Sequence, residues 1–96
     1  MTAKPDARPE IRPETRDARL KRLRIRSWRR GTREMDLILG PYADGALQDL
    51  DEGGLAAYEE LLEENDQDLY AWMAGTAPAS LPHEATVARI RAWHKI

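Results

Sequence analysis

Cysteine is absent from this 96-residue chain, which excludes a disulfide framework and any thiolate zinc site. No apolar run approaches the ~20 residues that a membrane-crossing helix requires. The N-terminus lacks the apolar stretch of a secretory signal, and these absences point to the cytoplasm. β-Branched residues are few and never alternate with polar ones, so no strand is expected. The phosphate loop, the dinucleotide fingerprint, the HExxH zinc motif and the nucleophile elbow are all missing. A chain this short buries only roughly 60–65% of the surface its unfolded form exposes. That leaves little wall for an enclosed active-site cavity. Together these features predict one small domain that is not an enzyme, with no catalytic residues and no metal site.

What the chain has is charge, unevenly divided. Residues 1–33 hold 12 of the 15 Lys and Arg and four acidic residues, a balance of +8, whereas residues 34–96 balance at −10. The split predicts a basic docking surface beside an acidic body. Nucleic acid, an anionic membrane or an acidic protein all fit such a surface.

Residues 1–16 contain Pro5, Pro9 and Pro13 among charges and almost nothing apolar, and read as a disordered leader. Asp6, Glu10, Glu14 and Asp17 weigh against a mitochondrial transit peptide, which is poor in acids. Residues 17–96 read as a single all-α domain, a compact bundle of five short helices. The first helix is expected from Asp17, as its cap, to about Arg29. In the second, Met35, Ile38, Leu39, Tyr42 and Ala46 share one helical face, with a kink expected near Gly40 and Pro41. Leu55, Tyr58, Leu61 and Leu62 form the buried stripe of the third helix, whose Glu59, Glu60, Glu63 and Glu64 read as a solvated face. Asn65 or Asp66 caps a fourth helix that Gly75 ends, and Pro82 fits the first turn of the fifth. The expected core is Leu20, Met35, Ile38, Leu39, Leu55, Leu61, Leu62, Leu69, Trp72, Val87 and Ile90. With no cysteine or third histidine beside them, His83 reads as a surface cap and His94 as a packed edge.

The informative stretch is Arg29-Arg30-Gly31-Thr32-Arg33-Glu34-Met35-Asp36. Gly31 lets the backbone turn or a partner approach closely, and Glu34 suits the first turn of a helix. Arg30 and Glu34 are placed to pair across the junction. Arg26, Arg29, Arg30 and Arg33 cluster at a helix N-terminus, which already favours anions, and arginine offers bidentate contacts to carboxylate or phosphate. The cluster is expected to form a docking site for an acidic or phosphate-bearing partner, beside the plain reading of a helix junction. The junction reads as solvent-facing, so Arg30→Ala should move stability by only about ±0.5 kcal/mol.

Arg30-Gly31-Thr32-Arg33-Glu34 resembles the RGxxE motif of the SdhE family of flavinylation factors. Met35-Asp36-Leu37-Ile38-Leu39, Pro41-Tyr42, Tyr58-Glu59-Glu60-Leu61-Leu62, Asp66-Gln67-Asp68-Leu69-Tyr70-Ala71-Trp72 and Pro78 follow in the family's order, so the resemblance spans roughly residues 18–94. It implies a five-helix assembly factor; separately, a monomer is expected. Such a factor binds the flavoprotein subunit of succinate dehydrogenase or fumarate reductase and promotes covalent attachment of FAD to a histidine there. It also implies partner binding through Arg30, Gly31 and Glu34, to which the local charge adds Arg29, Arg33 and Asp36. No cofactor is expected to be bound tightly; the FAD is held by the partner. Two other readings remain: an antitoxin or regulatory protein-binding partner, and a small DNA-binding module, since a basic helix and turn mimic helix-turn-helix.

Overall fold

In the computed structural model, which describes residues 14–96, Thr15 opens the first helix. Its hydroxyl accepts the Ala18 N–H at 3.1 Å, and α1 runs Arg16–Trp28. Asp17 is therefore a first-turn acid, not the cap: it stands at the second helical position, where a carboxylate meets the positive helix end. Starting at Arg16 lets that guanidinium donate to the carbonyls of Gln48 and Leu50 and pair with Glu52. Of the expected leader, only residues 14–16 are described, and they belong to this helix start; residues 1–13 lie outside the described part.

Thr32 caps α2, Arg33–Ala46, through the Met35 N–H. The helix continues through Pro41. One turn earlier, His94 Nε2 donates to the Ile38 carbonyl at 2.7 Å, tying the far end of the chain to this helix. A Cβ on Gly40 would collide with the Trp28 indole, so glycine there lets α1 lie close against α2. Trp28 Nε1 then donates to Asp44 at 3.1 Å. After a 3-10 turn at Leu47–Asp49, Asp51 caps α3, Glu52–Leu61, and Asn65 caps α4, Asp66–Ala74. Gly75 ends α4 with a left-handed φ of 80°, a conformation that only glycine adopts without strain. Pro82 sits in a 3-10 turn, Leu81–His83, ahead of α5, Glu84–His94, and not in its first α turn. No strand occurs among the described residues.

The central α2 packs against α1, α4 and α5, and α5 also touches α3 and α4. Ten of the eleven expected core residues are buried; Ile38 is only partly so. Leu23, Tyr42, Ala43, Leu47, Tyr58 and Met73 complete the core. Tyr58 is fully buried although it carries a hydroxyl. Ser27 Oγ donates to the Leu23 carbonyl at 2.7 Å, which leaves the Tyr58 O–H to donate to Ser27 Oγ at 2.6 Å. Burial raises the Tyr58 phenol well above its ordinary range, against the opposing pull of the Ser27 bond.

The charge asymmetry is largely resolved inside the fold. Arg16 and Arg19 pair with Glu52, Arg19 and Arg22 with Glu59, and Arg26 with Glu63. Two of the glutamates read as a solvated face, Glu59 of α3 and Glu63 just beyond its end, therefore bridge to arginines of α1 through long side chains. Hydrogen bonding from Arg22 holds the Glu59 carboxyl below its ordinary range, with burial opposing and Arg19 assisting. A carboxyl depressed in the folded state stabilises above its unfolded pKa, and that contribution is lost as pH falls through the depressed value. Wild type should therefore melt above Glu59→Gln at about pH 7, and the gap should shrink as pH falls through and below the ordinary carboxylate range of about 4. A gap that stays constant as pH falls into the acid range would show that the pair contributes nothing through charge.

Candidate functional site

The junction between α1 and α2 is built around Gly31, whose φ of +102° turns the chain. A Cβ there would meet nothing within 4 Å. The requirement is conformational: an L side chain held at positive φ costs roughly 1–2 kcal/mol. On its N-terminal side, Arg30 points inward. Its side chain is 11% exposed and makes three bonds to the turn that follows α3. Nε donates to Asp66 Oδ1 at 2.9 Å, Nη1 to the Leu62 carbonyl at 2.6 Å and Nη2 to the Glu64 carbonyl at 2.7 Å. The Arg30 N–H donates to Asp36 Oδ1 at 2.7 Å.

The expected pair between Arg30 and Glu34 is not formed, and the physical reason is clear. The end of α3 presents carbonyls without helical partners and the negative end of a helix dipole. Asp66 adds a full charge. One planar guanidinium spans all three acceptors, which a single carboxylate four residues away cannot match. Arg30 thus ties the α1–α2 turn to the α3–α4 turn, and Asp36 braces the same turn from α2.

The remaining expected site residues separate from this pair. Arg29, Gly31, Arg33 and Glu34 are exposed, while Asp36 is half-buried and faces Arg30. Among the described residues, Arg29, Arg33 and Glu34 make no ion pair within the fold. A groove of about 370 Å³ opens beside them, lined by Thr32, Glu34, Asp66, Gln67 and Tyr70. Tyr70 is 48% exposed along it. The chain distance between residues 32–34 and 66–70 hid this groove from the sequence reading. An aromatic on the outer face of α4 was its single signal. Since Glu52 and Glu59 of α3 pair with Arg16, Arg19 and Arg22, and Glu63 just beyond it pairs with Arg26, less unpaired positive charge faces outward than the +8 balance predicted.

His83 is not a surface cap. It is 5% exposed and packs on Trp72, and its Nε2 faces the Glu64 carboxylate at 3.0 Å. The 3-10 turn around Pro82 rotates it inward. Among the described residues, no group of three or more His, Asp or Glu side chains is arranged to hold a metal ion. No described helix is long and apolar enough to cross a membrane.

Comparison with known proteins adds an independent line. The mitochondrial succinate dehydrogenase assembly factor 2 of Drosophila grimshawi is 36% identical over 78 residues, covering 79% of this chain and 53% of the relative. That of Schizosaccharomyces pombe is 39% identical over 66 residues, covering 69% and 48%. That of Meyerozyma guilliermondii is 41% identical over 59 residues, covering 62% and 44%. The chain thus spans about half the length of these curated relatives. No solved structure matches it. The model of the family described as flavinator of succinate dehydrogenase matches residues 21–94, a span that takes in most of α1, the Arg30–Glu34 turn with its Arg30 clamp and the four later helices, and the chain belongs to that family.

Proposed function

We propose that this chain is an assembly factor that binds the flavoprotein subunit of succinate dehydrogenase or fumarate reductase in the cytoplasm and promotes covalent attachment of FAD. The observation that carries this reading is the Gly31–Glu34 turn: exposed, charged and held still by the Arg30 clamp beneath it. Family membership supports it. The factor acts as a monomer and contributes orientation, not reacting groups. It holds a partly open flavoprotein so that the FAD in that subunit and its histidine acceptor stay aligned; such positioning alone lowers a barrier by several kcal/mol. It holds no cofactor of its own. Gly31 admits close approach of the partner backbone, Glu34 meets a partner donor or cation, and Arg29 and Arg33 meet partner carboxylates. Arg30 and Asp36 set the shape of the turn from inside.

The test is deletion of the gene, followed by in-gel flavin fluorescence of the denatured flavoprotein subunit. Covalent flavin should fall and be restored by wild type. Glu34→Ala should fold normally, since an exposed position moves stability by about 0.5 kcal/mol or less, yet fail to restore it fully. Undiminished covalent flavin in the deletion strain would sink the reading; full rescue by Glu34→Ala would remove Glu34 from the docking surface.

A further inference from the structure

Glu64 stands between two side chains that do not touch each other. Its carbonyl accepts Arg30 Nη2 at 2.7 Å, and its carboxylate faces His83 Nε2 at 3.0 Å. His83 is pinned by its surroundings: its ring lies 5.7 Å from the Trp72 ring with the planes at 32°, and Trp72 is itself buried. The other ring nitrogen, Nδ1, is buried and has no partner among the described residues. That places the ring proton on Nε2, because a partnerless lone pair is tolerated better than a buried N–H with no acceptor. The imidazole is therefore a donor to Glu64, fixed in orientation by Trp72.

The turn between α3 and α4 is thus held from two sides. Arg30 holds it from the α1–α2 junction, and His83 holds it from the start of α5. The fork of Arg30 needs its acceptors to stay in place, and two of the three are carbonyls of this turn. Glu63 and Asn65 on either side of Glu64 are exposed, so neither is buried to steady it. Turns with few buried contacts open readily.

We infer that His83 and Glu64 are positioning residues: their hydrogen bond keeps the Glu64 carbonyl under Arg30, and through Arg30 keeps the Gly31–Glu34 turn in its docking shape. The inference rests on the proposed reading that this turn meets the flavoprotein. Its first link, from His83 to Arg30, stands on the geometry alone.

Three variants of the full chain separate the possibilities. His83→Phe keeps a ring on Trp72 and loses the donor. His83→Gln places an amide N–H near the position of Nε2. Glu64→Ala keeps the carbonyl and loses the carboxylate; that carboxylate is 37% exposed, so this variant remains folded even if the phenylalanine is not accommodated. The first readout is water exchange of the Arg30 Nε–H by nitrogen-15 NMR. Exchange should quicken about tenfold in His83→Phe and Glu64→Ala, the order expected for one lost charge-assisted bond, and return toward wild type in His83→Gln. The second is the Kd for the purified flavoprotein subunit lacking covalent flavin, which should weaken about fivefold in the same two variants. Unchanged Arg30 exchange in both overturns the inference, whatever the subunit does. Quickened exchange with unchanged Kd leaves the latch but removes its role in docking. Quickened exchange, weakened Kd and rescue by glutamine establish it. If the wild-type chain does not bind the subunit at all, the proposed function fails while the exchange result still decides the latch.

Discussion

Arg30→Ala is expected to destabilise the fold by roughly 2–4 kcal/mol, by the magnitudes of charge-assisted bonds and of partly buried ion pairs broken on one side. The substitution removes three donors at once. The Leu62 and Glu64 carbonyls lose bonds at the end of α3, and the Asp66 carboxylate, 21% exposed, loses its ion pair. Alanine offers nothing in return. Arg30→Lys should recover part of the loss, since it restores a charge but not a planar fork that spans all three acceptors. Urea denaturation of the three proteins is the check, with the slope constant if only stability has changed. A loss below about 0.5 kcal/mol for Arg30→Ala would show that water replaces the guanidinium without penalty. Because this variant changes stability and docking together, Glu34→Ala remains the cleaner probe of docking. Gly31→Arg is compromised in the same way, by its φ of +102°.

Leu62→Ala should cost roughly 2–5 kcal/mol, the range for deleting a buried leucine and leaving a cavity. Leu62 is 2% exposed and belongs to the central core. It also carries one of the carbonyls that Arg30 holds, and Arg26 Nη2 approaches the same oxygen at 3.4 Å. The side chain packs inward while the carbonyl anchors the junction, so core packing and the α1–α2 turn share this residue. The two effects should couple: the double variant Arg30→Ala, Leu62→Ala should lose less than the sum of the single losses, by about 0.5 kcal/mol or more. Strict additivity would mean that the Leu62 carbonyl stays in place without its side chain. A single-variant loss under about 0.5 kcal/mol would place Leu62 outside the working core.

The helices were legible because their signals are local. Asp51, Asn65 and Gly75 bound helices as their chemistry requires, and the three- and four-residue spacing of Met35, Leu39 and Tyr42 marks a buried face without any knowledge of what covers it. The turn at Gly31 was legible for the same reason, and so was the membership of Arg29, Arg33 and Glu34 in an exposed junction.

The partners of the charged and polar groups were not legible, because they lie far away along the chain. Residues 62–66 supply the acceptors for Arg30, residue 64 meets His83, and residues 52, 59 and 63 neutralise α1. A sequence read in short windows assigns such charges to solvent or to a binding partner, since both leave the same local pattern. By itself the sequence determined the five helices, their inward faces and the presence of a charged turn. Only the tertiary structure decided which charges that turn presents, because a guanidinium is free to dock elsewhere only when no nearer set of carbonyls and carboxylates in its own fold has already bound it.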